Sequence, residues 1–268
     1  MKLDLQTRVA LNNGVKMPLL GLGTWASTGK AGRQAVLWAL EAGYRLIDTA
    51  SSYGNESEIG EAIRDSGLPR SEIFVTTKVW PAEFGYEETL RAFESSRRRL
   101  GLEQVDLYLI HWPGDDPHLR AESWRALETL LADGRSRAIG VSNYMVADLE
   151  ELLGAGDRGV VPAVNQVPFS PFGRQKDVHA FCKSHGIRLE GYSPLTRGAE
   201  LGQRTIRSLA KAHGRTAAQI MLRWALQKEV VTIPKSVHKE RILENAAVFD
   251  FSLSSEDMAA LDALDSGR

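Results

Sequence analysis

Ile-Phe-Val-Thr-Thr-Lys (73–78), the helical stretch 87–100 and Val-Asp-Leu-Tyr-Leu-Ile-His (105–111) decide the fold. Two short apolar runs flank one helix, and such a crossover returns the chain to the same sheet edge. The two strands must therefore pair in parallel. Worked outward, the same alternation fills the chain. Strands are predicted at 18–23, 44–49, 73–79, 105–111, 137–142, 161–166, 187–192 and 230–234. Helices are predicted near 31–42, 56–66, 87–100, 119–133, 146–154, 175–185, 216–228 and 239–247. In the fourth, Trp124, Leu127, Leu130 and Leu131 recur at three- and four-residue steps and form one apolar stripe.

The strands are apolar nearly throughout, as in a sheet covered on both faces. Eight such units without a Pro/Ser-rich linker or a composition break predict one α/β domain over 1–268, a (β/α)8 TIM barrel. Two additions are expected. Asn12-Asn13-Gly14, between Val9-Ala10-Leu11 and Val15-Lys16-Met17, signals an N-terminal β-hairpin. Extra helices are predicted at 202–213 and 255–265, near the C-terminus.

Composition narrows the function. The chain has 268 residues, 33 Lys and Arg against 34 Asp and Glu, and a formal net charge of −1. No long basic block occurs, and Arg97-Arg98-Arg99 reads as the solvated end of a helix, so no nucleic-acid partner is expected. No stretch is long enough to span a bilayer, and the start lacks the apolar core of a signal peptide. The single Cys182 excludes an intramolecular disulfide framework and fits a reducing compartment, hence a cytoplasmic location.

In TIM barrels the loops after the strand C-termini build the active site. Asp48, Lys78 and His111 fall at those ends of strands two, three and four, and Tyr53 follows in the next loop. A carboxylate, a lysine, a phenol and an imidazole there form a proton-relay set. A tyrosine is ordinarily a weak acid, with a pKa of about 10. An ammonium beside it is expected to lower that value, with Asp48 holding Lys78 charged and His111 orienting a carbonyl oxygen. Trp25, Trp80 and Trp112 stand at or just past strand ends and would wall an apolar substrate pocket together with His111. Ser142, Asn143, Gln166, Tyr192 and Ser193 collect at the same rim.

Three motifs point to a family. Gly-Tyr-Arg-Leu-Ile-Asp-Thr-Ala-Ser-Ser-Tyr-Gly-Asn-Glu (43–56), Ala-Ile-Gly-Val-Ser-Asn-Tyr (138–144) and Ile-Pro-Lys-Ser-Val-His-Lys-Glu-Arg-Ile-Leu-Glu-Asn (233–245) resemble aldo-keto reductase signatures. The match runs almost end to end and looks most like prokaryotic members such as the 2,5-diketo-D-gluconate reductases. The resemblance implies a monomer that reduces small carbonyl substrates with NADPH, giving NADP+, with Asp48, Tyr53, Lys78 and His111 as catalytic residues. It also implies that Ser142, Asn143 and Gln166 hold the nicotinamide carboxamide and that Tyr192 stacks on the ring. Thr24 and Asp48 would border the ribose, and Ser193 and Leu195 the pyrophosphate. Lys235, Ser236, Val237 and Arg241 would meet the 2′-phosphate, which two cations and a hydroxyl suit. Glu244 and Asn245 would meet the adenine.

Three departures accompany the resemblance. Pro168 and Ser170 replace the Glu and His that many relatives carry, and His238 stands where a Thr is common. The chain stops at Arg268, soon after the last helix, so an open pocket with a broad substrate range is expected.

Other readings give way. Gly21-Leu22-Gly23-Thr24-Trp25-Ala26 formally fits a dinucleotide fingerprint, but of its candidate ribose acids Glu41 falls inside a helix, and Asp48, at the second strand's end, belongs with tetrad members that have no part in such a site. A Schiff-base aldolase using Lys78 would leave the 2′-phosphate residues without a role. A nucleotide-sensing or regulatory subunit would not need the intact tetrad. His179, Cys182 and His185 share a helix but do not share a face, and no H-E-x-x-H or paired-cysteine motif occurs, so no metal is expected.

Overall fold

The computed structural model describes residues 3–154 and 159–265. Any consequence of the chain end at Arg268 lies outside the described residues. Strands β1 (Arg8–Ala10) and β2 (Lys16–Pro18) form the hairpin, with Val9 opposite Met17 and Gly14 in the left-handed region at φ 85°. The helical layer and the sheet then alternate. The sheet strands are β3 (Leu22–Gly23), β4 (Leu46–Asp48), β5 (Phe74–Val79), β6 (Val105–Ile110), β7 (Ser136–Ser142), β8 (Val164–Pro168), β9 (Arg188–Tyr192) and β10 (Val231–Thr232). The intervening helices are α1 (Gly29–Glu41), α2 (Glu56–Asp65), α3 (Tyr86–Leu100), α4 (Pro117–Ala132), α5 (Val146–Gly154), α6 (Lys176–Ser184), α7 (Arg204–His213) and α8 (Ala217–Gln227). After β10 come α9 (Lys239–Ala246) and α10 (Ser255–Asp262), and the two additional helices predicted are α7, before β10, and α10.

The eight strands pair in parallel and in chain order from β3 to β10. Parallel bridges Leu20↔Thr232 and Gly23↔Lys235 join the first sheet segment to the last and close the barrel. The first and last strands are shorter than predicted because their ends are held one bond at a time: Gly21 N–H donates to the Thr232 carbonyl and Gly23 N–H to that of Pro234. The sixth strand starts at Val164, later than predicted, since Pro162 has no N–H to give a ladder.

Both β5 and β6 are buried along their whole length, as strands sandwiched between barrel interior and helices must be. Helix boundaries follow local chemistry. Asp116 caps α4 by accepting from the backbone of His118 and Leu119, with Pro117 at the first helical position. Thr216 and Gln219 form a capping box at α8. Gly101 ends α3 in the left-handed conformation at φ 65°. Gly60 lets α2 approach α3 so closely that an added Cβ would strike the Leu100 carbonyl.

The hairpin covers the N-terminal end of the barrel. Asn12 donates to the carbonyls of Val161 and Pro162, Asn13 to that of Arg137, and Arg8 to that of Glu72. With that end covered, the opposite rim is left open.

Candidate active site

Four side chains meet at the open rim. Asp48 closes β4, Lys78 is the penultimate residue of β5, and His111 follows β6 with its N–H bonded to the Val79 carbonyl. Tyr53 ends a tight turn (Ser51–Tyr53) that Gly54 terminates at φ 64°. Asn55, fully buried, braces this turn against the loop after β3. It donates to the carbonyls of Thr24 and Ser27 and accepts from the Thr49 hydroxyl.

Lys78 Nζ donates to Asp48 Oδ1 and to the Thr49 carbonyl, each at 2.8 Å, and lies 5.1 Å from the Tyr53 ring centre. The His111 ring stands edge-on to Tyr53 at 5.5 Å and to Trp80 at 5.1 Å, with Nδ1 3.4 Å from the Ser52 hydroxyl. Glu83 accepts from Trp80 N–H and from the Ser51 hydroxyl, tying the loop after β5 to the turn that carries Tyr53.

Burial pushes the Lys78 ammonium toward losing its proton, but Asp48, Tyr53 and Glu190 together outweigh it and its pKa is raised. A lysine so paired is a poor nucleophile, which removes the Schiff-base reading. Burial pushes the His111 pKa down to about 3, with Lys78 adding to the effect, so this imidazole is neutral. The expectation of a lowered Tyr53 pKa is corrected. Lys78 does pull the phenol down, but burial wins and the net shift is upward. Tyr53 therefore holds its proton at neutral pH, as an acid must before reaction.

These residues open into a cavity of about 1080 Å³ that runs along the rim. Tyr53, His111, Trp25, Trp80 and Trp112 line one end, and the three indoles are 38–52 % exposed. Lys235, Ser236, Arg241, Glu244 and Asn245 line the other. Thr24, Asp48, Ser142, Asn143, Gln166, Tyr192, Ser193 and Leu195 lie between. Two predicted residues do not line it: Lys78 is wholly buried beneath the floor, and Val237 packs against the hydrophobic core.

The middle of the cavity is a network of fixed amides. Asn143, at φ 63°, donates through Nδ2 to the His111 carbonyl and to Ser142 Oγ. Its Oδ1 accepts from the Tyr192 hydroxyl at 2.9 Å. Gln166 Nε2 donates to Asp48 Oδ2 at 2.8 Å and to Glu190 Oε2 at 2.9 Å. At the far end, Lys235 and Arg241 have no acidic partner at ion-pair distance among the described residues. Two unpaired cations beside a serine suit a phosphate monoester, and an amide-lined floor suits a carboxamide, so the cavity fits a phosphorylated nicotinamide dinucleotide.

Sequence reasoning missed three neighbours of this site. Glu190 is fully buried, and burial followed by Asp48 raises its carboxyl pKa to about 8. Its signal was its phase: Glu190 and Tyr192 are two apart on one strand and face the same side. Arg197 lies on the cavity wall 4.8 Å over the Trp25 ring, and Ser52 touches His111. The loop of Arg197 runs through left-handed backbone at Ser193, Thr196 and Arg197, which no local signal announces. The cluster on α6 separates as expected: Cys182 is buried, His179 packs edge-on against Phe169, and His185 stacks on Phe181.

The chain is similar to known proteins over nearly its whole length. The Aldo/keto reductase family model matches residues 19–266. The chain is 50 % identical to morphine 6-dehydrogenase of Pseudomonas putida, over 97 % of this chain and 91 % of that one. It is also 50 % identical to glyoxal reductase of Bacillus subtilis (strain 168), over 98 % and 95 %. Among solved structures, a variant of Gox0644 in complex with NADPH superposes with a TM-score of 0.93 at 41 % identity, covering 98 % of this chain and 96 % of that one. A closed eight-stranded barrel whose sequence is matched over nearly its whole length means that the chain belongs to the aldo/keto reductase family.

Proposed function

We propose that this protein reduces aldehydes and ketones to alcohols with NADPH, and that Tyr53 protonates the carbonyl oxygen. The observation that carries the reading is the buried Lys78–Asp48 pair, which sits against a protonated phenol and a neutral imidazole at the cavity floor. When bound, NADPH supplies a hydride from its nicotinamide C4. The chain's own residues do the rest. His111, neutral and edge-on to Tyr53, offers a ring nitrogen to the carbonyl oxygen and fixes it before the phenol. Tyr53 gives up its proton as negative charge develops on that oxygen, and the Lys78 ammonium stabilises the phenolate left behind. Asp48 keeps Lys78 charged in its dry site.

Ser142, Asn143 and Gln166 are assigned to the carboxamide, Tyr192 to the nicotinamide face, and Thr24 with Asp48 to the adjoining ribose. Ser193 and Leu195 are assigned to the pyrophosphate. The unpaired Lys235 and Arg241, with Ser236, are assigned to the 2′-phosphate, and Glu244 and Asn245 to the adenine. Val237 is kept only as a packing neighbour of that loop. Trp25, Trp80 and Trp112 wall the substrate end.

Three half-exposed indoles around an open mouth support a broad range of small substrates, α-dicarbonyls and keto-sugars among them. Relatives named for glyoxal and for morphine, at equal identity, support breadth over a single tight fit. We read the protein as a cytoplasmic monomer, in keeping with its lone buried cysteine. The test is loss of 340 nm absorbance with NADPH or NADH against glyoxal, methylglyoxal, a keto-sugar and an aromatic aldehyde. Turnover favouring NADPH is expected. Tight NADPH binding with no turnover on any carbonyl would replace the reductase reading with a sensor.

A further inference from the structure

Glu190 is a buried carboxyl that the reaction does not touch. It projects from β9 into the barrel, in register with Gln166 on β8. Only one of its oxygens is used: Oε2 accepts from Gln166, while Oε1 is buried without a partner. A buried polar atom left unpaired costs about 1–3 kcal/mol, so stability does not account for a glutamate here. An apolar residue of similar size would fill the space at lower cost, as Val231 does opposite it on β10.

What Glu190 does is complete the restraint on one amide. The Gln166 nitrogen carries two hydrogens, and both are taken, one by Asp48 Oδ2 and one by Glu190 Oε2. A single acceptor would leave the amide free to swing about that bond. Two acceptors on opposite sides fix its plane, which leaves the carbonyl oxygen as the one free polar atom that Gln166 offers to the cavity it lines. The charged and titratable groups that face this point are Asp48 from β4, Lys78 from β5 and Tyr53 from the turn between them.

We propose that Glu190 is a positioning residue, which locks Gln166 so that its side-chain oxygen stands ready to accept the N–H of the cofactor's carboxamide. This rests on the functional reading above, in which Gln166 meets the carboxamide. Recognition of that N–H, rather than of the dinucleotide as a whole, is the property Glu190 confers.

The test uses two ligands that differ at this one group: NADP+, and its 3-acetylpyridine analogue, in which a methyl replaces the amide nitrogen. Quenching of the indole fluorescence around the cavity reports binding of each without turnover. The wild-type protein should bind NADP+ about tenfold more tightly than the analogue, the worth of one well-placed hydrogen bond. Glu190→Leu should reduce that ratio to about twofold or less, chiefly by weakening NADP+. Glu190→Gln is nearly isosteric, keeps an oxygen facing Gln166 and should retain most of the ratio. Because both ligands meet the same folded protein, a general loosening of the barrel lowers both affinities and leaves the ratio unchanged.

An unchanged ratio in Glu190→Leu, or loss of the ratio in Glu190→Gln, would overturn the proposal. If Glu190→Leu does not fold, the Gln variant decides it alone. A wild-type protein that binds both ligands equally would refute the role of Glu190. One that binds neither would overturn the cofactor assignment itself.

Discussion

At the residue scale, two buried groups at the site titrate far from their ordinary values, in opposite senses, and the signs lead to measurable consequences. His111 is held at about 3, so the unfolded chain takes up a proton below its ordinary value near 6.5 that the folded chain refuses. Stability from His111 is thus full above about pH 6.5 and is lost as pH falls toward 3. It follows that reduction should show no inflection from His111 near pH 6.5. An inflection there that vanishes in His111→Asn would place the group in its charged form and contradict the neutral imidazole. Glu190 runs the other way. Its folded pKa is raised to about 8, so its contribution is full below the ordinary carboxylate range and is lost as pH rises to about 8. Glu190→Gln should therefore match wild type near pH 4 and melt higher near pH 8, by on the order of 2–5 °C for a chain of this size. Equal Tm values at pH 8 would show that the wild-type carboxyl carries no such strain.

At the element scale, what the sequence announced was the order of the elements, and what it hid was their edges. Alternating apolar runs and helices were legible because a doubly covered parallel strand has no polar face to confuse the period. The ends of β3 and β10 were not, because barrel closure there rests on isolated bonds between residues more than 200 positions apart. The strand ends proposed as catalytic were legible for a related reason: a charged residue that closes a wholly apolar run has few structural explanations. Glu190 lies within a strand and closes no apolar run, so it stands out only with Gln166 opposite it. Asp106 at the start of β6 is another such charge. It binds Arg70 and Arg137 and accepts from the buried Val75 N–H at 2.9 Å, knitting β5, β6 and β7 at the closed end of the barrel. Asp106→Ala should cost about 2–4 kcal/mol in urea unfolding, since it strands a buried N–H and breaks two ion pairs. A loss below about 0.5 kcal/mol would mean that the partners find water instead. Turnover at saturating substrate should change little, because this end lies across the barrel from the site.

At the scale of the whole molecule, the barrel divides its labour between its two ends. The hairpin and the ion pairs secure one end. The other gathers residues from all eight sheet strands or the loops that follow them around one cavity. On the proposed assignment, the cofactor is distinguished far from the chemistry, at Lys235 and Arg241. Replacing either with Ala should raise the Kd for NADPH about tenfold and leave that for NADH within about twofold, as expected for loss of one charge-assisted contact to a phosphate. Equal weakening of both cofactors would move the 2′-phosphate elsewhere.

A protonated Tyr53, served by Lys78 and Asp48, is the proposed acid of carbonyl reduction. Single-turnover oxidation of bound NADPH by glyoxal, followed at 340 nm in wild type and Tyr53→Phe at matched cofactor saturation, tests it most directly. The phenylalanine variant should bind NADPH with a Kd within about threefold of wild type and lose about 10²–10⁴-fold in rate. A variant that oxidises NADPH at the wild-type rate would contradict it.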